Sequence, residues 1–242
     1  MTRDELDALS PDEVKARLAA PNRAAFIRAA ARAGQADAQA VYGQMLLDGR
    51  EVPRDEAAAF GWFRRAAAQQ HLMALNMVGR CYDLGQGTAV EKARAAECFR
   101  VAAARGLPEA MYNYATSLTL GDGVAEDRPA ALAWLERAAE RGFAKALNFV
   151  GQFHEDGWVV ERDMAQAADC YARAAEAGDF RAMFNHARLL ASAGERHGAL
   201  AWLRCAGAAG NPRFVGKAAA WLAASTLGAD GVAALQEGAR RC

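Results

Sequence analysis

The sequence predicts an all-α solenoid built from helical hairpins, and three observations support this fold class. The phrase Ala-Ala-x-x-Gly ends at Gly34, Gly106, Gly142 and Gly178, so it recurs at multiples of 36 residues. Alanine, the strongest helix former, is far above ordinary usage. Alternating Val and Thr runs, which are typical of strands, are almost absent. A fixed period of this length indicates stacked repeats, each a small helical unit that buries its apolar face against its neighbours.

The first helix of each repeat is marked by small residues on one face. An alanine follows the marker by four residues and a glycine or alanine follows it by nine, which is the spacing of one buried helical stripe. The register persists where Gln70 replaces the marker glycine. The helix is predicted to end fifteen residues after the marker, at Gly49, Gly85, Gly121 and Gly157, where glycine adopts the left-handed conformation that closes a helix.

The second helix begins after a short loop, at an acidic residue that is expected to cap it: Asp55, Glu91, Asp127 or Asp163. One position of this helix then holds Trp62, Cys98, Trp134, Cys170 and, in a shortened repeat, Trp202. We interpret the tryptophans as core residues and the cysteines as small substitutes for them, not as nucleophiles.

These signals divide the chain into one continuous solenoid domain. Residues 1–34 and 211–242 keep helical periodicity without the repeat phrase and are predicted to cap the two ends. Five repeats lie between them, at 35–70, 71–106, 107–142, 143–178 and 179–210. The last repeat is four residues shorter than the others, because its loop shrinks to Ser192–Glu195.

The repeat resembles the Sel-one-like repeat (SLR), a branch of the tetratricopeptide (TPR) superfamily. The resemblance rests on Ala-x-x-x-(Leu/Tyr)-Gly, Gly-x-Gly-Val-x-x-Asp and Ala-x-x-Trp-Phe-x-x-Ala-Ala-x-x-Gly, and it covers most of the chain from Arg23 onward. Repeat 71–106 departs from the pattern at Thr88 and Cys98. The resemblance implies a right-handed, TPR-like α–α superhelix whose first helices form the concave wall. It also implies a protein-binding adaptor or scaffold.

Composition excludes several functional classes. The 29 basic and 29 acidic residues cancel, so no net field favours nucleic acid. The first residues lack the apolar stretch of a signal peptide and no segment suggests a membrane span, so we expect a cytoplasmic protein. The high Arg-to-Lys ratio and the alanine content suggest a bacterial source with a GC-rich genome.

Residues that carry chemistry show no catalytic or metal-binding pattern. The five cysteines form no CxxC pair, and the four histidines lack metal-ligand spacing. No serine-hydrolase motif and no phosphate-binding Gly-x-x-x-x-Gly-Lys motif occurs. The Gly-x-Gly pairs follow predicted helices rather than strands, so they do not match a dinucleotide-binding motif. We therefore expect no catalysis, no metal and no cofactor.

The candidate partner-binding residues are those of the first helices that face away from the buried stripe, six and ten residues after the marker. Amides and arginines there can bind a peptide main chain or a carboxylate, and aromatic rings can anchor it. The candidates are Asn76, Arg80, Tyr112, Thr116, Asn148, Gln152, Phe184 and Arg188.

Binding of a peptide or partner protein on the concave face is the leading functional hypothesis, and two alternatives stay open. Some secreted, cysteine-rich relatives have been described as binding or hydrolysing β-lactams, so a β-lactamase-like or other hydrolase activity is the first. A self-associating structural unit is the second. Turnover of a chromogenic β-lactam tests the first, and light scattering across protein concentration tests the second.

Overall fold

The computed structural model describes residues 3–240, which form fifteen α-helices and no strand. The fold is an all-α repeat solenoid, so the predicted fold class is confirmed. The chain divides between Asp127 and Arg128 into two compact units. Among the described residues, no helix has both the length and the apolar character needed to cross a membrane. Cys242 lies outside the described residues.

The first unit contains eight helices that pack in chain order, from α2 against α3 to α7 against α8. Two short helices and α3 precede two complete helical hairpins, and α8 begins a third. The helices are α1 (Arg3–Asp7), α2 (Pro11–Ala19), α3 (Arg23–Arg32), α4 (Ala36–Asp48), α5 (Glu56–Ala68), α6 (Leu72–Leu84), α7 (Lys92–Ala104) and α8 (Pro108–Leu120).

The second unit contains seven helices, of which α9 to α13 pack consecutively. The last helix then returns to pack against both α13 and α14. The helices are α9 (Arg128–Glu140), α10 (Ala144–Asp156), α11 (Met164–Glu176), α12 (Phe180–Ser192), α13 (Arg196–Ala209), α14 (Pro212–Ala223) and α15 (Gly228–Arg240).

In three of the hairpins, an aromatic ring of the second helix lies directly on a glycine of the first helix. A Cβ atom added at the glycine would come within 2.6 to 2.8 Å of a ring carbon, so no larger residue fits without displacing the ring. The pairs are Gly43 with Phe63, Gly79 with Phe99, and Gly151 with Tyr171. The small residue predicted nine positions after the marker therefore sets how closely the two helices approach.

The predicted helix ends are confirmed, and one predicted cap is wrong. The glycines that follow α4, α6, α8 and α10 all adopt left-handed conformations. Asp55 and Asp163 accept backbone N–H groups at the starts of α5 and α11, as predicted. Glu91 makes no such bond before α7; its carboxylate lies 3.1 Å from Arg94 Nε instead. The longer glutamate side chain pairs with Arg94 on the helix surface instead of accepting the free N–H groups at the start of α7.

The loop before each second helix carries a residue with positive φ. At Gly87 (φ 71°) a Cβ atom would lie 2.1 Å from the carbonyl oxygen of Glu56, because the loop presses on the start of the preceding second helix. Gly123 meets the start of α7 in the same way, 2.2 Å from Lys92. Val159 takes this place in the second unit, at φ 56°, although valine is disfavoured there.

Two glycines allow α13 and α15 to cross at backbone contact. A Cβ atom at Gly207 would lie 1.9 Å from the Leu235 carbonyl oxygen, and one at Gly238 would lie 1.9 Å from that of Arg204. The arrangement is reciprocal, since each helix supplies one glycine and one carbonyl. It brings the buried Leu203 and Leu235 into one apolar cluster at this end of the chain.

Candidate functional site

The eight candidate residues lie on four first helices. In the first unit, Asn76 and Arg80 lie on α6, and Tyr112 and Thr116 on α8. In the second unit, Asn148 and Gln152 lie on α10, and Phe184 and Arg188 on α12. We call the surfaces formed by these residues and the exposed side chains beside them the α6–α8 face and the α10–α12 face. The two faces use equivalent repeat positions but differ in what their polar groups contact.

The two candidate asparagines are buried, contrary to the expectation of an exposed wall. Asn76 is 3% exposed and Asn148 is 5% exposed. Their Oδ1 atoms accept hydrogen bonds from the Nδ2 atoms of Asn113 (2.8 Å) and Asn185 (3.0 Å) on the next first helix. Since each amide is covered by the next repeat, these residues join adjacent first helices. Asn113 and Asn185, one position further along, are the more accessible partners.

Arg188 is also engaged within the protein. Its Nη1 and Nη2 atoms donate to the two carboxylate oxygens of Glu155 on α10, at 2.7 and 2.6 Å. The hydroxyl of the fully buried Tyr171 donates to the same carboxylate at 2.7 Å. The hydrogen bonds from Arg188 hold the pKa of Glu155 below its ordinary value; burial opposes this effect and the Tyr171 bond adds to it. Burial and the Glu155 carboxylate together raise the pKa of Tyr171.

Arg80 occupies the same repeat position as Arg188 but is exposed. Among residues 3–240 it forms no ion pair, and its Nη1 contact is with Met77 Sδ at 3.8 Å. The difference comes from the residue 33 positions earlier, on the preceding first helix. That residue is Glu155 for Arg188 and the buried Leu47 for Arg80. The α6–α8 face therefore presents a guanidinium that has no carboxylate of its own.

Apolar side chains flank Arg80. Leu84, one turn further along α6, is 55% exposed, and Leu120 at the same position of α8 is 64% exposed. A cavity of about 140 Å³ lies between the repeats and is lined by Arg80, Asn113, Thr116 and Leu120 among others. The Thr116 hydroxyl donates to the Tyr112 carbonyl at 2.9 Å, so its oxygen can still accept a hydrogen bond.

Lys92 closes the other side of this cavity. Its Nζ lies 2.6 Å from an Asp83 carboxylate oxygen and 3.3 Å from one of Asp122. The hydrogen bond to Asp83, together with the smaller contribution of Asp122, raises the pKa of Lys92. Lys92 thereby neutralises both aspartates in part. Arg80 is then the cation of this cavity that is free to bind a partner.

The remaining candidates are partly covered. Phe184 packs edge-on against Phe214 and Trp221 of α14, with ring centroids 6.0 and 5.4 Å apart. The predicted anchor is thus shared with the C-terminal helices, because α14 lies beside α12. Gln152 is partly exposed on α10. Sequence reasoning missed Asn113, Leu84 and Leu120; their recurrence at intervals of 36 or 72 residues was the available signal.

Histidine, cysteine and acidic side chains are the other groups that could hold a metal ion or react. Within the described part of the chain, no group of three or more His, Cys, Asp or Glu residues is placed to hold a metal ion. Burial raises the pKa of Cys81 to about 11 and also raises that of Cys98 and Cys170. These thiols are therefore protonated at neutral pH, and Cys205 is exposed and unpaired.

Comparison with known proteins identifies the repeat. The model of the Sel1 repeat matches four segments, 36–71, 72–107, 108–143 and 144–179. Each segment begins one residue after a repeat boundary predicted from the marker spacing. No curated protein matches the sequence.

Solved structures similar to this chain include a Sel1 repeat protein from Oxalobacter formigenes, at 26% identity and a TM-score of 0.68, over 98% of this chain and 89% of that one. Protein c5321, a protective antigen of uropathogenic Escherichia coli with an SLR fold, shares 24% identity at a TM-score of 0.64 over 90% of this chain and 48% of its own. The immunity protein Pa5087 from Pseudomonas aeruginosa shares 17% identity at a TM-score of 0.59, over 83% and 75% of the two chains. The last two likenesses show the fold alone.

Proposed function

Because the chain belongs to the Sel1 repeat family, whose members typically mediate protein–protein interaction, we propose that it is a non-catalytic adaptor. It binds a peptide segment of a partner protein on the exposed surfaces of its first helices, which form the concave wall in solenoids of helical pairs. The α6–α8 face is the principal docking surface. The α10–α12 face contributes less, because Arg188 is already paired with Glu155 within the protein.

The observation that supports this choice is the exposed Arg80 beside two exposed leucines. A forked guanidinium binds a carboxylate through two parallel hydrogen bonds, and the net gain is about 1.5–3 kcal/mol for a charged hydrogen bond. Leu120 offers apolar surface in the cavity, and Leu84 offers exposed apolar surface one turn from Arg80 on α6. The segment that fits carries an acidic side chain close to an apolar one, so that the first reaches Arg80 and the second covers the leucines.

A random peptide library displayed on phage tests the proposal. Selection on the wild-type protein should enrich peptides that combine an acidic and an apolar residue, and their affinity should fall at least tenfold on Arg80→Ala. Arg100→Ala is the matched control, because Arg100 is an exposed arginine of α7 that pairs with Glu97. Enrichment of peptides that bind Arg80→Ala and wild type equally would move the docking surface elsewhere.

A second variant removes the apolar contact and pairs the free charge at the same time. Leu120→Asp places a carboxylate beside Arg80 and removes the exposed leucine. It should abolish binding of the selected peptides while leaving thermal unfolding unchanged, because Leu120 is 64% exposed. Full binding by this variant would contradict the assignment of the cavity to the partner segment.

A further inference from the structure

An open cleft lies on a different surface of the second unit, between α9 and α11. Its volume is about 370 Å³, near the lower end of the range of about 300–1,000 Å³ for ligand pockets. Glu136 and Glu140 line it from α9, Leu147 and His154 from α10, and Cys170 and Arg173 from α11. The two faces described above do not share these residues.

The cleft exists because two rings that fill this place elsewhere in the chain are missing. In repeat 35–70, Tyr42 of α4 and Trp62 of α5 pack edge-on with centroids 5.5 Å apart. The equivalent residues, 108 positions later, are Val150 and Cys170, which both line the cleft. An aromatic pair is replaced by an isopropyl group and a thiol.

The same small pair occurs once more, but there another ring takes up the room. In repeat 71–106, Val78 and Cys98 stand at these positions, and Tyr82 packs edge-on against Phe60 with centroids 5.2 Å apart. The residue equivalent to Tyr82 in the second unit is His154, and Leu132 stands in place of Phe60. The truncation is thus compensated in the first unit and left open in the second.

The arginine that covers the missing ring is still present. Arg65 lies over the ring of Trp62 and Arg137 over that of Trp134, at 4.6 and 4.3 Å from the centroids, each three residues after its tryptophan. Arg173 follows Cys170 by the same three residues. It lines the cleft and pairs with Asp169 at 3.0 Å. A ring placed in the cleft can therefore meet a guanidinium as the protein's own tryptophans do.

The edge of the cleft on α9 is acidic. Glu136 and Glu140 are exposed, lie one turn apart and form no ion pair with any described residue. Arg173, the basic residue of the cleft, is neutralised by Asp169. The cleft thus combines room for a ring with a local field that favours a cation beside it.

We propose that the α9–α11 cleft is a second docking site, which takes an aromatic side chain, best a tryptophan, next to a lysine or arginine of a partner peptide. The ring occupies the place that Trp62 and Tyr42 fill in repeat 35–70. The neighbouring cation binds Glu136 and Glu140. This site goes beyond the proposed α6–α8 interaction and does not depend on it.

Two peptides that differ in one charge test the site. Capped Gly-Trp-Lys-Gly and Gly-Trp-Glu-Gly carry the same ring and differ only in the charged residue. Binding is followed by NMR chemical-shift changes of the Ala139 and Leu147 signals. The affinity for the lysine peptide should be at least tenfold higher than that for the glutamate peptide. The double variant Glu136→Gln, Glu140→Gln should reduce that preference below twofold. Equal binding of both peptides to the wild type, or an unchanged preference in the double variant, would overturn the proposal.

Filling the cleft should abolish binding. Cys170→Trp installs the tryptophan that three of the other repeats hold at this position, and His154→Tyr installs the residue found in repeat 71–106. Both should lose the lysine peptide, whereas Cys205→Trp, the same change at an exposed cysteine, should bind as the wild type does. Circular dichroism checks that each variant folds, and His154→Tyr serves if Cys170→Trp does not. Binding that survives a folded, filled cleft would contradict the assignment.

Tryptamine separates a peptide from a free aromatic amine as the natural occupant. It carries the ring and an ammonium group without a peptide main chain. We expect it to bind at least fivefold more weakly than the lysine peptide, because the peptide adds contacts along the cleft. Tighter binding of tryptamine would assign the cleft to a small molecule and refute the peptide.

Discussion

Repeats 71–106 and 143–178 hold many of the same residues 72 positions apart, yet their surfaces differ. In both, a buried asparagine, Asn76 or Asn148, accepts a hydrogen bond from an asparagine side chain of the next repeat. Both also fill the tryptophan position with a cysteine. What separates them is a few neighbours, and those neighbours determine which groups are available to a partner.

The arginines of repeats 71–106 and 179–210 show the same dependence on neighbouring residues. Arg80 and Arg188 occupy one repeat position, but only Arg188 has an acid 33 residues earlier, at Glu155. A repeat position therefore sets the direction of a side chain. Whether that side chain is bound or available depends on the residue at the neighbouring position of the preceding first helix.

The largest effect is expected at the loop of repeat 71–106. Gly87→Ala should lower the free energy of unfolding by at least about 3 kcal/mol, because its Cβ atom would lie 2.1 Å from the Glu56 carbonyl oxygen at a positive φ. Chemical denaturation measures the change. Gly106→Ala is the control, since it has a positive φ but no atom within 4 Å of the added Cβ, and it should cost about 1–2 kcal/mol. Equal losses would show that the loop does not press on α5.

An intermediate effect is expected at Glu155. Glu155→Gln should lower the free energy of unfolding by about 2 kcal/mol, because it leaves the mostly buried Arg188 guanidinium without its counter-charge. Asp169→Asn removes the charge of an exposed ion pair with Arg173 and should cost less than about 0.5 kcal/mol. A comparable loss in both variants would contradict the distinction between the buried and exposed pairs.

The Glu155 contribution should also depend on pH. The folded pKa lies below the ordinary value of 4.5, so the unfolded state binds the proton more readily. The stabilisation is fully present above about pH 5 and is lost as the pH falls through the folded pKa. The difference in unfolding free energy between wild type and Glu155→Gln should therefore shrink below pH 4.5. A difference that grows on acidification would refute the sign.

The smallest effect is a gain in stability at the loop of repeat 143–178. Val159→Gly should raise the free energy of unfolding by about 1 kcal/mol, because it relieves a positive φ of 56° at a side chain that is 49% exposed. Val159→Ala should change little, since alanine shares the strain. If alanine stabilises as much as glycine, the valine side chain rather than the backbone is responsible.

The sequence predicted the helices well because their signals are local. The marker phrase, the glycines after the first helices and two of the acidic caps all act within one or two turns. The burial of Asn76 and the ion pair of Arg188 were not predictable in the same way. Both depend on a side chain of a neighbouring helix, Asn113 in one case and Glu155 in the other. A position in the repeat does not reveal these neighbours unless adjacent repeats are compared.

The openness of the α9–α11 cleft was missed for a related reason. Cys98 and Cys170 look equivalent in sequence, and both were interpreted as small core substitutes. The difference lies in Tyr82 and His154, which belong to the first helix of each hairpin. When a small side chain on one helix leaves space, a larger side chain on the neighbouring helix can fill it. A cavity therefore cannot be predicted from one sequence position alone.

Chemical modification of arginine tests the central claim most directly. The claim is that a residue on the preceding first helix determines whether a first-helix arginine is free to bind a partner. Phenylglyoxal labelling, followed by peptide mass spectrometry, should modify Arg80 at least tenfold faster than Arg188 in the folded protein. Glu155→Gln should raise the rate at Arg188 and leave that at Arg80 unchanged. Equal rates at the two arginines of the wild-type protein would contradict the account.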